Sequence, residues 1–157
     1  FLPDADGWTA KPLLESGNLV ILKAFTKLYG MAGVRLGYCL CGDEALLEKM
    51  QTAAEAFVGE HDFKGFCSSG NSSKTTVRTI YDISVTRKDD FIVIRVTGNG
   101  FLYNMVRILA GTLIYCGNGK IKPEDMAEII ESGDRQKAGK TAGPSGLTLV
   151  KIMYANF

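Results

Sequence analysis

One charged side chain lies inside an otherwise apolar segment. Residues 98–116 read GNGFLYNMVRILAGTLIYC, and Arg107 is the only charged residue among them. Apolar residues recur around it at helical spacing, which predicts a buried helix that begins after Asn99-Gly100 and stops before Gly117-Asn118-Gly119. A guanidinium stays protonated, and its burial is costly unless a carboxylate or a phosphate pairs with it. The segment therefore predicts a fixed positive charge directed at a negative partner.

A lysine and an arginine border a glycine-punctuated turn near the start of the chain. Lys27 follows a predicted strand, and Arg35 comes after Gly30 and Gly33. A lysine at a strand end can form a Schiff base with an aldehyde cofactor. An arginine in a tight turn can bind a phosphate with two parallel hydrogen bonds. Taken alone, these residue types favour an exposed lysine and a loop arginine.

The remaining reactive side chains favour structural roles. His61, the only histidine, lies between two acidic residues directly after a predicted helix, which favours a structural hydrogen bond over a general base. Cys39 and Cys41 share one face of a predicted strand, but no second close pair and no nearby histidine completes a metal site. We therefore expect reduced thiols in a cytoplasmic protein, and no metal.

The composition bounds the class of protein. The chain has 157 residues, enough for one domain with a hydrophobic core, and its 18 basic residues nearly balance its 17 acidic ones. This balance excludes the strongly basic signature of a general nucleic-acid binder. Because no run of about 18 apolar residues occurs, no membrane span is expected. The chain opens on Phe1 rather than a methionine and without a signal peptide, so we expect a fragment or one piece joined to another.

The spacing of apolar residues predicts an α+β fold, with an antiparallel sheet that carries helices on one face and is preceded by a β-hairpin. Strands are expected at residues 18–25, 36–41, 77–86, 91–97 and 146–154. Helices are expected at residues 43–57, 101–116 and 123–133. Residues 64–77, rich in Ser, Gly and Thr, are expected to form a loop.

The segment AFTKLYGMAGVRLGY at residues 24–38 carries a first resemblance. It resembles the cofactor-lysine motif of class I/II aminotransferases, closest to the group of histidinol-phosphate aminotransferase and threonine-phosphate decarboxylase. The resemblance covers about residues 1–51 and implies that Lys27 binds pyridoxal phosphate and Arg35 its phosphate group. The sequence departs at Ala24, where this family usually has a serine or threonine. The parts of that fold that hold the pyridine ring have no match here, so we expect an ordinary lysine at Lys27.

Several motifs in residues 53–154 carry a second resemblance. In order, they are FVGEHDF at 57–63, VRTI at 77–80, GNGFLYNMVR at 98–107, AGKTA at 138–142 and GLTL at 146–149. Together they resemble the carboxy-terminal half of the tRNA pseudouridine synthase A family. The sequence departs from that family at 143–145, where many members carry two prolines.

This second resemblance implies an isomerase that converts uridine to pseudouridine in the anticodon arm of tRNA, without a metal or an organic cofactor. The target base must leave its stack and enter a pocket. The resemblance implies that Arg107 pairs with the catalytic aspartate and that Leu147 contacts the target base. It also implies a cytoplasmic homodimer. The family's aspartate lies in an Arg-Thr-Asp-x-Gly-Val-His segment that this sequence lacks, so the chain alone is expected to be inactive.

Two alternatives compete with these assignments of charged residues. Arg107 can instead form a salt bridge within the fold; the available acids are Glu60, Asp62 and Asp82. Lys74 and Arg78 border the Ser/Gly loop, where they can bind RNA phosphates or simply be solvated.

The two resemblances meet inside one helical pattern. We assign residues 1–51 to an aminotransferase-like fragment that is not an independent domain, and residues 52–157 to the synthase-like domain. Because the join falls near Met50–Ala54, one helix is expected to cross it without a break. The preceding hairpin is expected to cover a sheet edge. The alternative functions are a fragment of a pyridoxal-phosphate-dependent aminotransferase or decarboxylase, and a non-catalytic RNA-binding remnant.

Overall fold

A computed structural model describes residues 20–24, 37–41, 44–70, 72–88 and 91–152, the first two ranges as backbone only. The described part has the predicted α+β fold, with three α-helices and a three-stranded antiparallel sheet in addition to the hairpin. Its strands are β1 Val20–Ala24, β2 Gly37–Cys41, β3 Gly59–Asp62, β4 Val77–Lys88 and β5 Phe91–Gly98. Its α-helices are α1 Glu44–Glu55, α2 Met105–Gly117 and α3 Met126–Ser132.

The main sheet has the order β3-β4-β5. The predicted hairpin of β4 and β5 is confirmed, with Val85 opposite Ile94 and a register shift between Ile80 and Asp82. Ile83 and Val85 face the core by the alternation of the strand, and the register shift brings Ile80 to the same face although it is three residues from Ile83. Strand β3 was not predicted, because GEHD lacks apolar alternation and is held in place by its pairing with the start of β4.

One hydrophobic core joins the helices to the sheet. Helix α1 packs against both α2 and β4. Three buried rings, Phe57, Phe63 and Phe66, stand together at the end of α1, and the ring centroids of Phe57 and Phe66 lie 5.2 Å apart, edge to face. Burial raises the pKa of the Cys116 thiol in α2 to about 11, and nearby acidic residues of the 123–125 turn act in the same direction.

Helix α1 crosses the boundary between the two family-like segments without interruption, as predicted. Its buried residues lie on one side, with Leu46 and Met50 before the boundary and Ala53 and Ala54 after it. The side-chain oxygen of Gln51 accepts a hydrogen bond of 2.8 Å from the backbone of Val85. The two segments therefore share one helix and one core.

The predicted start of the Arg107 helix is wrong. Helix α2 begins at Met105 rather than after Gly100. Asn99 extends the sheet, because its backbone N–H donates to the Thr79 carbonyl at 3.0 Å and its side-chain oxygen accepts from the Thr79 N–H at 2.9 Å. Asn104, in the left-handed conformation with φ 60°, then turns the chain into the helix. Apolar spacing extended the predicted helix too far because Leu102 is buried although it precedes the helix.

The predicted last strand is also wrong over the part that the structure describes. Residues 144–146 form a 3₁₀ turn, and residues 147–152 have no regular structure. Their apolar side chains are exposed; Leu149 is 73% and Val150 79% accessible. A strand needs a neighbouring strand to satisfy its backbone, and no described strand pairs with this segment.

The amino-terminal hairpin is confirmed as backbone. Strands β1 and β2 pair antiparallel, with Val20 opposite Cys41, and form a two-stranded sheet of their own. Strand β2 comes close to β5 and to the turn at 144–146 but does not join the β5 ladder. In the described part of the chain, no helix is long and apolar enough to cross a membrane.

Candidate functional site

Arg107 lies in the first turn of α2, and its side chain is part-buried. Its Nε donates to the carbonyl of Ala142 at 2.8 Å, and its Nη1 donates to Oδ1 of Asn104 at 2.8 Å. Both acceptors are uncharged, so they orient the guanidinium without neutralising it.

No internal carboxylate pairs with Arg107 among the described residues. The ion pairs found there join Arg87 to Glu44 and Lys137 to Glu128. Asp62, one of the proposed internal partners, instead accepts hydrogen bonds from the backbone of Lys64 and the hydroxyl of Thr76. The alternative of an internal salt bridge is therefore wrong for the described acids.

The far nitrogen of the Arg107 guanidinium faces solvent. Nη2 donates no hydrogen bond within the described residues. It is therefore not buried, because every buried side-chain nitrogen or oxygen there has a hydrogen-bond partner. An arginine that is held at Nε and Nη1 and open at Nη2 presents a fixed positive charge to its surroundings. Such a group can bind a carboxylate or a phosphate.

The segment before α2 is tied to the 67–68 loop, and this fixes the residue that orients Arg107. Asn104 donates through Nδ2 to the hydroxyl of Ser68 at 3.0 Å. The N–H of Ser68 donates to the carbonyl of Tyr103 at 3.1 Å. Asn104 therefore uses both ends of its amide, one toward the loop and one toward the guanidinium.

The loop of residues 138–142 packs directly on the backbone of α2. A Cβ on Gly111 would lie 1.7 Å from the carbonyl oxygen of Lys140, so only glycine fits there. Gly139 donates its N–H to the hydroxyl of Thr112 at 2.9 Å, and that hydroxyl donates to the Ile108 carbonyl at 2.8 Å. At the other end of the loop, the N–H of Ala142 donates to the Arg107 carbonyl at 3.0 Å. This close contact brings the carbonyl of Ala142 to the arginine.

Leu147 follows the same loop. Its N–H closes the 3₁₀ turn on the carbonyl of Pro144 at 3.2 Å, and the residue is 49% exposed. Leu147 lies five residues along the chain from Ala142, whose carbonyl accepts the hydrogen bond of Arg107.

Arg78 and Lys74 differ in their surroundings. Arg78 is part-buried, and its Nη1 donates to the carbonyls of Thr75 at 2.9 Å and Val77 at 2.6 Å. Its Nε lies 3.7 Å from the position that a Cβ on Gly100 would take, so Arg78 borders the segment that leads into α2. Lys74 is exposed and forms no hydrogen bond or ion pair with the described residues. The structure brings Arg78, but not Lys74, to the edge of the site.

His61 has the structural surroundings that its sequence context predicts. Its Nε2 lies 3.2 Å from the carbonyl of Val58, and its ring stands edge to face on Phe63, with centroids 5.7 Å apart. In the loop that contacts Asn104, burial raises the pKa of the Cys67 thiol, against smaller opposing effects from the Tyr103 backbone and Arg78.

Lys27 and Arg35 lie outside the described residues, and Cys39 and Cys41 are described as backbone only. Among the described residues, no cluster of three or more histidine, cysteine, aspartate or glutamate side chains is placed to hold a metal ion.

Sequence reasoning missed three groups that build the site: Asn104, the carbonyl of Ala142 and the hydroxyl of Thr112. A backbone carbonyl leaves no signal in a sequence. The glycines at 111 and 139 are a usable signal, since two glycines in facing segments permit a close approach of their backbones.

A family model described as tRNA pseudouridine synthase matches residues 53–155. The chain therefore belongs to this family. It is 52% identical over 108 residues to the tRNA pseudouridine synthase A of Thermoanaerobacter sp. strain X514, covering 69% of this chain and 44% of that protein. It is 53% identical over 108 residues to the Caldicellulosiruptor bescii protein of the same name, again with 69% and 44% covered. The Syntrophomonas wolfei protein of that name is 46% identical over 118 residues, with 74% and 47% covered.

The matched region is thus less than half the length of these relatives. Residues 3–65 also match a model of aminotransferase class I and II. Both resemblances inferred from the motifs are confirmed, and the two matches overlap at residues 53–65. The division of the chain at residue 51 stays a prediction.

Proposed function

We propose that this chain forms the carboxy-terminal half of a tRNA pseudouridine synthase and supplies Arg107 to an aspartate of the amino-terminal half. The observation that carries the proposal is the Arg107 guanidinium, which is held by two uncharged acceptors and open at Nη2. Nothing in the described fold uses that charge. An aspartate from a second half would complete the ion pair.

In the proposed mechanism, Arg107 keeps the aspartate ionised and oriented. A guanidinium within hydrogen-bond distance lowers the pKa of a carboxyl group and can bind both of its oxygens. The ionised aspartate promotes cleavage of the glycosidic bond of uridine, and the freed uracil turns and rejoins through carbon. The proposal includes no metal and no organic cofactor.

The proposed substrate is the anticodon arm of tRNA. The target uridine leaves its stack, and the exposed Leu147 packs under the base. Arg78 and Lys74 contact phosphates of the backbone; Arg78 already borders the site, and Lys74 extends freely from its loop. The structure favours Arg78 as the stronger of the two contacts, because its side chain is already oriented by backbone carbonyls.

The first test is tritium release from tRNA labelled at carbon 5 of uridine. We expect no turnover by the chain alone, because these 157 residues lack the aspartate segment. Clear turnover by the purified chain would contradict this part of the proposal.

The second test restores the other half. The amino-terminal half of the Thermoanaerobacter synthase, which carries the family's aspartate, is co-expressed with this chain. We expect turnover, with a loss of at least about 100-fold for Arg107→Ala, the scale for removal of one preorganised hydrogen-bond donor from an active site. Arg95→Ala is the matched control, because Arg95 is exposed on β5 and outside the site. Equal activity of the two variants would overturn the role of Arg107.

A salt-dependent tRNA gel shift separates an RNA-binding chain from an aminotransferase fragment, and turnover after reconstitution then separates the proposed synthase half from a non-catalytic RNA-binding remnant. A remnant would bind tRNA with steep salt dependence yet give no turnover after reconstitution. By family resemblance, we also propose that the protein is cytoplasmic and forms a homodimer. Sedimentation velocity of the reconstituted protein tests the dimer.

We propose no second function for the aminotransferase-like segment. The match at 3–65 includes Lys27 and Arg35, but the sequence supplies no aspartate for the pyridine nitrogen and no ring stack from that family. Pyridoxal phosphate therefore does not fit a complete site. We expect no new absorbance band that depends on Lys27 when the cofactor is added; a band lost in Lys27→Ala would contradict this.

A further inference from the structure

The guanidinium of Arg135, just beyond α3, forms its hydrogen bonds with the loop of residues 138–142. Its Nη1 donates to the carbonyl of Gly139 at 2.9 Å, and its Nη2 donates to the hydroxyl of Thr141 at 3.1 Å. The side chain is part-buried, and no described carboxylate forms an ion pair with it. A part-buried arginine that binds only neutral acceptors gains little as a charge, so its contribution lies in the geometry of the loop.

We propose that Arg135 is a positioning residue for Arg107 and acts through the 138–142 loop. This inference rests on the proposed function of Arg107. The loop is anchored at its start by Thr112, which binds the Gly139 N–H, and at its end by Arg107, which binds Ala142 on both sides. Between these anchors, Arg135 holds the Gly139 carbonyl and the Thr141 side chain.

The direction of the Ala142 carbonyl depends on this middle support. Thr141 directly precedes Ala142, so a hydrogen bond to its hydroxyl restrains the peptide that leads into the Ala142 carbonyl. Helix α2 contacts the loop at Gly111, and Arg135 binds the Gly139 carbonyl and the Thr141 hydroxyl. Without Arg135 the loop keeps its end anchors but loses the restraint next to the acceptor of Arg107.

The test measures hydrogen exchange at the Arg107 Nε–H by ¹⁵N NMR, with the signal assigned by its absence in Arg107→Lys. In wild type this proton is protected by the bond to Ala142. We expect exchange about tenfold faster in Arg135→Ala, the factor that corresponds to loss of one ordinary hydrogen bond. Arg135→Lys should give an intermediate rate, because an ammonium does not reproduce the planar fork. Arg95→Ala, a control that removes an exposed guanidinium of equal charge, should leave the rate unchanged.

An unchanged rate in folded Arg135→Ala overturns the inference. Should that variant fail to fold, Thr141→Val decides, because it removes one acceptor and keeps Arg135; about threefold faster exchange supports the inference, and no change overturns it.

Activity of the reconstituted protein gives a second readout. Arg135→Ala should lower kcat while KM for tRNA stays within about twofold, with partial rescue in Arg135→Lys. If wild type shows no turnover after reconstitution, the proposed function fails, whereas the exchange measurement still decides whether Arg135 orients Arg107.

Discussion

Arg107 receives its orientation from Asn104, a residue in the left-handed conformation directly before α2. Asparagine is one of the few residues that adopt this conformation readily, and its amide oxygen then lies 2.8 Å from Nη1 of the arginine. An amide orients the guanidinium and leaves its charge available. A carboxylate at the same place would satisfy it.

Asn104→Asp is therefore expected to separate stability from activity. The aspartate is isosteric, its oxygen can pair with Arg107, and the Ser68 hydroxyl can reverse its role and donate to it. We expect the free energy of unfolding in urea to stay within about 1 kcal/mol of wild type, because the lost amide bond is offset by a charged one.

Turnover by the reconstituted Asn104→Asp variant should fall at least about 100-fold, since an internal carboxylate competes for the guanidinium. Asn104→Gly, which keeps the backbone conformation and adds no charge, is the control and should lose less activity. Wild-type turnover in the aspartate variant would show that Arg107 does not pair with an incoming carboxylate.

Cys116 links stability to pH. Its pKa is raised from 9.0 to about 11 by burial, and then by Asp125 and Glu124. Because the folded state holds the thiol proton more tightly than the unfolded state, this contribution is complete below pH 9 and is lost as the pH rises toward 11. The loss is on the order of 2 kcal/mol.

Urea unfolding between pH 8.5 and 11 measures the effect of Cys116. The Cys116→Ala variant starts from a lower stability because it leaves a small cavity, but its stability should fall less over this range. Cys67, whose pKa is also raised, contributes equally to both proteins and cancels in the comparison. Parallel pH profiles would contradict the prediction.

Helix α1 is the element that unites the two family-like segments. Leu46 and Met50 belong to the aminotransferase-like segment, yet both pack on Gly117 at the end of α2, where an added Cβ would lie 2.8 Å from Leu46 and 3.0 Å from Met50. The synthase-like core thus depends on side chains from before the boundary.

Met50→Ala tests this dependence. Met50 is 1% exposed, and truncation of a buried methionine to alanine costs about 2–5 kcal/mol. We expect a single unfolding transition of lower midpoint, followed by circular dichroism in urea. Lys49→Ala, an exposed neighbour on the same helix, should change stability by less than about 0.5 kcal/mol. A Met50 variant as stable as wild type would mean that the first half of α1 does not share the core.

The elements that could be predicted from the sequence are those in which the buried side chains follow a local periodic pattern. Strands β4 and β5 alternate, and α1 and α3 carry apolar residues on one side, so local pattern decides their structure. Strand β3 could not be found in this way, because pairing with β4 decides it. The start of α2 was misplaced because buried Leu102 imitates a helical position. In the site, Arg107 could be predicted because it is the one charge in an apolar segment. The loop contacts around it could not be predicted, because they are made by backbone carbonyls, which every residue has.

At the scale of the whole molecule, the segment after the 144–146 turn is exposed among the described residues. Residues 147–152 have the composition of a strand but pair with no described strand, and their apolar side chains lie open. The chain also spans only 44% of the length of the Thermoanaerobacter relative. An exposed apolar segment with free backbone groups favours pairing with another chain or segment. We expect the amino-terminal half of the synthase to cover it.

Val150→Asp tests this surface. Val150 is 79% exposed, so the substitution should leave the isolated chain as stable as wild type, within about 0.5 kcal/mol. In the complex the same side chain would become buried, and an unpaired carboxylate there is costly. Affinity for the co-expressed amino-terminal half, measured by isothermal titration after separation and remixing, should fall at least about tenfold, a change of 1.4 kcal/mol. Ile114→Asp is the control: Ile114, on α2, is 40% exposed, and this variant should leave affinity within about twofold. Equal affinities for wild type and Val150→Asp would place the contact with the other half elsewhere on the molecule.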